Sequence, residues 1–108
     1  MKIIDKPWGN EIWLVNNNKY VAKILNINAD ERTSLQYHST KDETLYLDEG
    51  IANVTIDENS FDIGSGAILE ISPGTIHRIE AITDCKFFEV STPELEDVIR
   101  VEDDYDRM

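Results

Sequence analysis

Three residues in one short stretch of the chain, Gln36, His38 and Glu43, have the chemistry to hold a cation. The stretch SLQYHSTKDETLYLDEG resembles a strand in which Gln36 and His38 share one face, and Glu43 follows five residues after His38. An unpaired polar group on a buried strand face costs roughly 1–3 kcal/mol, so three such groups close together need a common partner. A metal ion is the candidate that suits all three.

The chain has two histidines, and each lies on a strand-like segment beside a turn. His77 follows the Ser-Pro-Gly turn in GAILEISPGTIHRIEA, residues 66–81. A lone histidine is more often a packed or surface residue than a ligand. Here Gln36, His38 and Glu43 can face the same way, and His77 lies in a second strand flanked by a turn. This arrangement favours a metal site.

The elements that must position these residues are short strands. Turn signals recur along the chain, and the segments between them are rich in β-branched and aromatic residues: EIWLV, KYVAKILNI, TSLQYH, TLYLD, ANVTI, SFDI, AILEI, HRIEAI and CKFFEVS. Many short strands at this spacing predict an all-β sandwich or barrel. No helical period is sustained before residue 90, and from Pro93 the sequence predicts either a strand plus tail or a short helical extension. We therefore expect one domain over residues 1–108, with a barrel over about residues 6–92 and an acidic extension over 93–108.

Composition restricts the partners and the compartment. The 22 acidic and 10 basic residues give a formal net charge of −12, which repels nucleic acid and anionic membranes, so neither is expected as a partner. An acidic surface also simply keeps a small protein soluble. The lone Cys85 excludes an internal disulfide, and the start MKIIDKPWGNE lacks the features of a secretory signal. The expected location is the cytoplasm.

Two motifs give a resemblance to the cupin family. The first stretch reads Gln36-x-His38-x4-Glu43-x6-Gly50, which resembles G-x5-H-x-H-x4-E-x6-G of cupin motif one. The second reads Gly66-x5-Ser72-Pro73-Gly74-x2-His77, which resembles G-x5-P-x-G-x2-H-x3-N of motif two. The spacings agree at every anchor, while four residue types depart from the motifs: Asp30 for glycine, Gln36 for histidine, Ser72 for proline and Ala81 for asparagine.

Within the cupins, the chain is similar to the cupin domain of type II mannose-6-phosphate isomerases. Its Lys6-Pro7-Trp8-Gly9 resembles the K/R-P-W-G opening of that domain, and PGTIHRIEA and FFEVSTPELEDVIRVEDDYDR look like small stand-alone cupins related to it. The resemblance implies a jelly-roll β-barrel with a metal in its mouth, as the strand pattern allows. It also implies a ligand set, namely Gln36, His38, Glu43 and His77.

Two imidazoles and two oxygen ligands suit Zn²⁺ first, and also Fe²⁺, Mn²⁺, Co²⁺ or Ni²⁺. With one carboxylate in the set, a divalent ion keeps a net charge of +1, which favours a substrate oxygen that develops negative charge. The implied reaction is the aldose–ketose isomerisation of a sugar phosphate. This reaction needs a general base, and no third histidine exists to supply it.

Other polar residues are candidates for the reaction. Alternation places Glu89 inward with Phe87 and Ser91, and it is the candidate base. Lys23 falls in register with Val21, Leu25 and Ile27, which makes it a catalytic candidate, although its stem could equally carry the charge out to water.

Two arginines are the candidates for the phosphate. Arg32 shares the face of Gln36 and His38, while a pair between Arg32 and Glu89 would be an ordinary interior ion pair. Arg78 is retained on the resemblance, although alternation places it opposite His77.

Three functions stay open on the sequence. The first is a metal-dependent, mannose-6-phosphate isomerase-like sugar-phosphate isomerase. The second is a non-catalytic metal-binding cupin that binds a sugar or a small anionic ligand, and the third is another metal-dependent cupin enzyme such as a dioxygenase. Since small cupins commonly dimerise and open sheet edges need covering, we expect a homodimer.

Overall fold

The computed structural model describes the whole chain, Met1 to Met108, and contains eleven β-strands and no helix. The strands are β1 (Lys2–Lys6), β2 (Gly9–Asn16), β3 (Val21–Ile27), β4 (Leu35–Tyr37), β5 (Glu43–Glu49), β6 (Ile51–Ile56), β7 (Asn59–Gly64), β8 (Ile68–Ile71), β9 (His77–Ala81), β10 (Cys85–Ser91) and β11 (Ile99–Glu102). The predicted all-β class is confirmed. Since the fold has no helix at all, no helical segment is available to span a lipid bilayer.

The strands form two antiparallel sheets. One has the order β1-β2-β3-β10-β5-β8 and the other has the order β11-β4-β9-β6-β7. Strand β10 lies between β3 and β5, and β9 lies between β4 and β6, so each sheet is built from distant parts of the chain. This confirms the predicted jelly-roll barrel. It also brings the two motif stretches together, because β5 and β9 begin at the same end of the barrel.

The Lys6-Pro7-Trp8-Gly9 stretch closes the hairpin between β1 and β2. Lys6 and Gly9 are register partners, so Pro7 and Trp8 form a two-residue turn. A side chain at position 9 would place its Cβ 1.9 Å from the carbonyl oxygen of Asn26, which only glycine avoids. Trp8, the turn residue beside Gly9, lies in the core and is 4% exposed.

The two ends of the chain join the sheets. Strand β1 was not predicted, because KIIDK is short and its apolar residues do not alternate with polar ones. At the other end, β11 pairs with β4, so the strand-plus-tail alternative describes residues 93–108 and the helical one does not. The five-stranded sheet therefore extends past the expected barrel limit at residue 92.

A cluster of thirteen buried apolar residues fills the barrel below the motif residues. Leu47 and Phe87 are fully buried within it, and burial of such a side chain stabilises the fold by about 1.5–3 kcal/mol. Beside this core, ten polar or charged residues are also buried. Buried charges are destabilising unless they are paired, so their arrangement indicates a site.

Candidate metal centre

The four motif residues lie at neighbouring strand ends. Gln36 is the central residue of β4, His38 follows that strand directly, Glu43 is the first residue of β5 and His77 is the first residue of β9. Gln36 and His77 are register partners across β4 and β9. Strand pairing thus explains why residues far apart in the sequence meet.

Three of these side chains converge on one point. His38 Nε2 lies 3.3 Å from Glu43 Oε1 and His77 Nε2 lies 3.4 Å from the same oxygen. One ligand atom from each of the three lies within 4.8 Å of the others, and all three residues are at least 95% buried. The arrangement suits a small cation that contacts all three atoms.

The opposite ring nitrogens of both histidines are already engaged. His38 Nδ1 lies 2.6 Å from the carbonyl oxygen of Asp97, and His77 Nδ1 lies 2.9 Å from that of Thr75. A carbonyl only accepts hydrogen bonds, so each Nδ1 donates its proton there and a neutral ring keeps a lone pair on Nε2. Two such lone pairs and a carboxylate oxygen then face one another with no proton between them. A cation resolves this conflict, so the donor set fits a divalent metal.

The electrostatics around Glu43 keep it ionised. Burial raises the pKa of this carboxyl, but its polar neighbours His38, His77 and Lys41 together lower the pKa far below the usual range. An ionised carboxylate is the form that binds metal.

Gln36 lies beside this group and lines the same cavity. Its side-chain oxygen accepts a hydrogen bond of 2.5 Å from the hydroxyl of Ser34. That bond orients the amide, and an amide oxygen has a second lone pair available. Its role as the fourth ligand stays a prediction.

A chain of alternating charges continues from Glu43 into the barrel. Lys41 Nζ lies 3.2 Å from Glu43 Oε2 and 3.2 Å from Glu89 Oε2. Lys23 Nζ lies 3.6 Å from Glu89 Oε2 and 3.1 Å from Glu11 Oε1. All five residues are buried. Each lysine thus contacts two carboxylates, which makes burial of the charges tolerable.

Among the three carboxyl groups in this series of charges, Glu89 is the one whose pKa is raised. Burial and the negative charge of Glu43 raise its pKa to about 7, against the lowering effect of Lys23 and Lys41. Its Oε2 is buried and accepts no well-aligned hydrogen bond, although both ammonium groups lie near it. A carboxylate with these properties is suited to exchange a proton with a bound molecule.

The three converging residues His38, Glu43 and His77, called the metal group below, share one cavity of about 120 Å³ with Glu89. Five of the ten basic residues of the chain line it, but only three of the 22 acidic ones. The basic residues are Lys6, Lys23, Lys41, Arg100 and Arg107. In a chain with a net charge of −12, this cavity is a local concentration of positive charge, which favours an anionic occupant.

The structure does not bring the two predicted substrate arginines into this cavity. The guanidinium of Arg32 pairs with Asp104 through contacts of 2.6 and 2.8 Å on the outside of the barrel. The two-residue alternation of a strand does not apply at Arg32, because β4 begins only at Leu35. In addition, Asp30 adopts a left-handed φ of 68° at the position where the motif has glycine. Glu89 accordingly pairs with lysines and not with Arg32.

Arg78 points away from His77, as alternation predicts. Its Nε donates a hydrogen bond of 3.0 Å to the carbonyl oxygen of Thr33. It lines an outer pocket together with Arg32, so both arginines are separated from the metal group by the sheet.

Sequence reasoning missed five charged residues that line the cavity: Lys6, Glu11, Lys41, Arg100 and Arg107. For Lys41 the alternation of β5 was a usable signal. If the two-residue period is continued two residues before Glu43, Lys41 lies on the same face as Glu43 and Leu45. For Arg100 the hydrophobic pattern of the strand predicts the wrong face. Its neighbours Ile99 and Val101 are 40% and 41% exposed, so the apolar face of β11 is the outer one.

Comparison with known proteins gives a family-level match. Residues 2–103 match the family described as "Mannose-6-phosphate isomerase C-terminal". The mannose-1-phosphate guanylyltransferase RfbM of Salmonella typhimurium is 26% identical over 102 residues, which are 90% of this chain and 21% of that protein. The chain therefore spans about a fifth of the length of this curated relative.

Solved structures share the fold. KdgF from a Halomonas species superposes with a TM-score of 0.80 at 15% identity, over 90% of each chain. An uncharacterised conserved protein with a double-stranded β-helix domain, from Klebsiella pneumoniae, superposes with a TM-score of 0.75 at 16% identity, over 84% of this chain and 82% of its own. These likenesses establish the shared double-stranded β-helix, which is the cupin fold.

Proposed function

The chain belongs to the mannose-6-phosphate isomerase C-terminal family, and from that premise we propose that it is a metal-dependent sugar-phosphate isomerase that interconverts an aldose and a ketose. One observation carries the proposal, namely that three buried residues able to ligate a metal face the same positively charged cavity as Glu89, a carboxyl whose pKa is raised to about 7. The match covers 21% of the relative RfbM, so the activity of that protein is not transferred to the chain.

His38, Glu43 and His77 would hold the metal, with Gln36 as the fourth ligand. When bound there, a divalent ion would stabilise negative charge on the carbonyl and hydroxyl oxygens of the sugar. Zn²⁺ is the first candidate, and Fe²⁺, Mn²⁺, Co²⁺ and Ni²⁺ fit the same donors.

Glu89 is the proposed base. Its Oε2 takes the proton from the carbon next to the aldose carbonyl and an enediolate forms. The Glu89 carboxyl then gives a proton to the former carbonyl carbon, as the hydroxyl proton moves to the other oxygen. Lys23 and Lys41 hold Glu89 from two sides and limit the build-up of negative charge.

Isomerisation can be tested by proton exchange. Metal-loaded protein is incubated in D₂O with mannose 6-phosphate and a panel of other aldose phosphates, and NMR follows deuterium at the carbon next to the carbonyl together with ketose formation. We expect both signals for at least one sugar phosphate and neither for the unphosphorylated sugar. A protein that binds sugar phosphates but exchanges no proton would contradict the proposal and favour a non-catalytic sugar-binding cupin. Oxygen consumption with Fe²⁺ would favour a dioxygenase.

We also expect the chain to form a homodimer. A homodimer would be seen by sedimentation as twice the chain mass, and the open edges β1, β7, β8 and β11 are where strands could pair. A cytoplasmic location and the lack of nucleic-acid and membrane partners likewise stay predictions from composition.

A further inference from the structure

We propose that Arg100, on the last strand of the fold, is the anion-binding residue of the metal cavity and makes the site select substrates with a phosphate remote from the reacting carbons. The inference rests on the proposed function for the identity of the substrate. The anion site itself is argued from the surroundings of Arg100.

Arg100 is the arginine of this chain that has no partner. The other three, Arg32, Arg78 and Arg107, each contact a carboxylate. Arg100 makes neither an ion pair nor a side-chain hydrogen bond, and its Nε is buried without any acceptor. In a chain with 22 acidic residues, a buried guanidinium N–H without an acceptor is destabilising unless a ligand supplies one.

The strand register aims Arg100 at the metal group. Arg100 is the register partner of Gln36, and Gln36 is the register partner of His77. Cross-strand partners share a face of the sheet, so all three side chains point to the same cavity, which each of them lines. Two strand spacings separate Arg100 from His77, roughly 10 Å between backbones. An anion held by Arg100 would therefore lie to one side of the metal, as a phosphate on the terminal carbon of a sugar does.

The segment that carries Arg100 is held firmly in place. The Asp97 carboxylate accepts hydrogen bonds from the backbone N–H groups of Ser39, Thr40 and Lys41, at 3.0, 2.7 and 2.9 Å. These bonds tie the start of the C-terminal segment to the loop between two metal ligands, and pairing with β4 fixes the rest. The backbone that carries Arg100 is therefore fixed, and a guanidinium can bind phosphate through two paired N–H groups.

Neighbouring cations are less available. Arg107 directs its Nε and one terminal nitrogen at Asp103, at 2.8 and 2.9 Å. Lys23 and Lys41 are each shared between two carboxylates. Lys6 lies 3.9 Å from Glu11, so Arg100 is the one basic residue of the cavity that no acidic side chain contacts.

Direct binding tests this assignment without turnover. Isothermal calorimetry measures inorganic phosphate, mannose 6-phosphate and mannose against the wild type, Arg100→Gln and Lys86→Gln, the last being an equal charge change on the outer side of β10. We expect the wild type to prefer mannose 6-phosphate over mannose, and Arg100→Gln to weaken both phosphate ligands by about 10- to 100-fold, which is the effect of one charge-assisted hydrogen-bond pair. Lys86→Gln and the metal content should stay unchanged, and Arg100→Lys should bind with intermediate affinity.

Three results would overturn the assignment: equal affinities of Arg100→Gln and wild type, an equal loss in Lys86→Gln, or no preference of the wild type for the phosphorylated sugar. Loss of phosphate binding in His77→Ala but not in Arg100→Gln would place the anion on the metal and also refute it. If Arg100→Gln does not fold, Arg100→Lys decides, since unchanged affinity there excludes a role for the guanidinium fork. A wild type that binds phosphate through Arg100 but isomerises nothing would keep this inference and refute the isomerase.

Discussion

Replacing Glu89 with glutamine is expected to lower kcat for sugar-phosphate isomerisation by a factor of about 10² to 10⁴, the usual contribution of a positioned general base. Glutamine keeps the size of the side chain but cannot take up a proton. The bound metal should stay at the wild-type level, because Glu89 is not among the residues that converge with His38 and His77.

The same residue predicts a pH dependence. Only ionised Glu89 accepts a proton, so kcat/KM should fall as the pH drops. The pKa of Glu89 is raised to about 7 by burial and by the charge of Glu43, and a cation bound at Glu43 offsets the second effect. The acidic limb of the profile should thus lie at or below pH 7 and should be lost in Glu89→Gln. As a control, Glu70→Gln on the exposed face of β8 should leave both kcat and the profile unchanged. Wild-type kcat in Glu89→Gln would assign the base elsewhere.

Replacing Lys41 with methionine is expected to lower the free energy of unfolding of the metal-free protein by about 3–5 kcal/mol, as when one partner of a buried ion pair is removed. Burial lowers the pKa of Lys41, but the carboxylates of Glu89 and Glu43 more than offset this and raise it above the usual value, so the ammonium form persists. Methionine fills similar space but leaves Glu43 and Glu89 facing each other without the cation between them.

Urea unfolding of the wild type and the variant at pH 8 measures this difference. Lys19→Met, an exposed lysine in the β2–β3 turn, is the control and should change the stability by no more than about 0.5 kcal/mol. A similarly small change in Lys41→Met would mean that the two carboxylates do not depend on Lys41, and the account of the interior charges would be wrong.

Alternation and motif spacing were sufficient to predict the barrel and the meeting of His38, Glu43 and His77. They succeed because these residues lie on or beside regular strands, where the side-chain period is two and one face is buried. Glu89 was placed inward for the same reason, and its direct cross-strand neighbour is Lys23, whose orientation the sequence left open. Their chemical roles are a separate matter that geometry alone does not decide.

Arg32 and Arg100 mark where such reasoning ends. Arg32 precedes β4 in an irregular segment with a left-handed residue, so counting back from Gln36 assigns it to the wrong side. Arg100 lies on an edge strand whose apolar residues face solvent, so the hydrophobic pattern there reports the outer surface. In both cases tertiary structure decides the orientation: Arg32 turns toward Asp104, and Arg100 turns toward the cavity.

The metal content of freshly purified, untagged protein tests the central claim most directly. Elemental analysis compares the wild type with His77→Ala, and with Lys86→Gln as a control for handling. We predict close to one divalent ion per chain in the wild type and in the control, and loss of that ion in His77→Ala, because the variant removes one of three converging ligands. A wild type that is empty, and that neither binds nor is stabilised by added Zn²⁺, Fe²⁺, Mn²⁺ or Ni²⁺, would contradict the account.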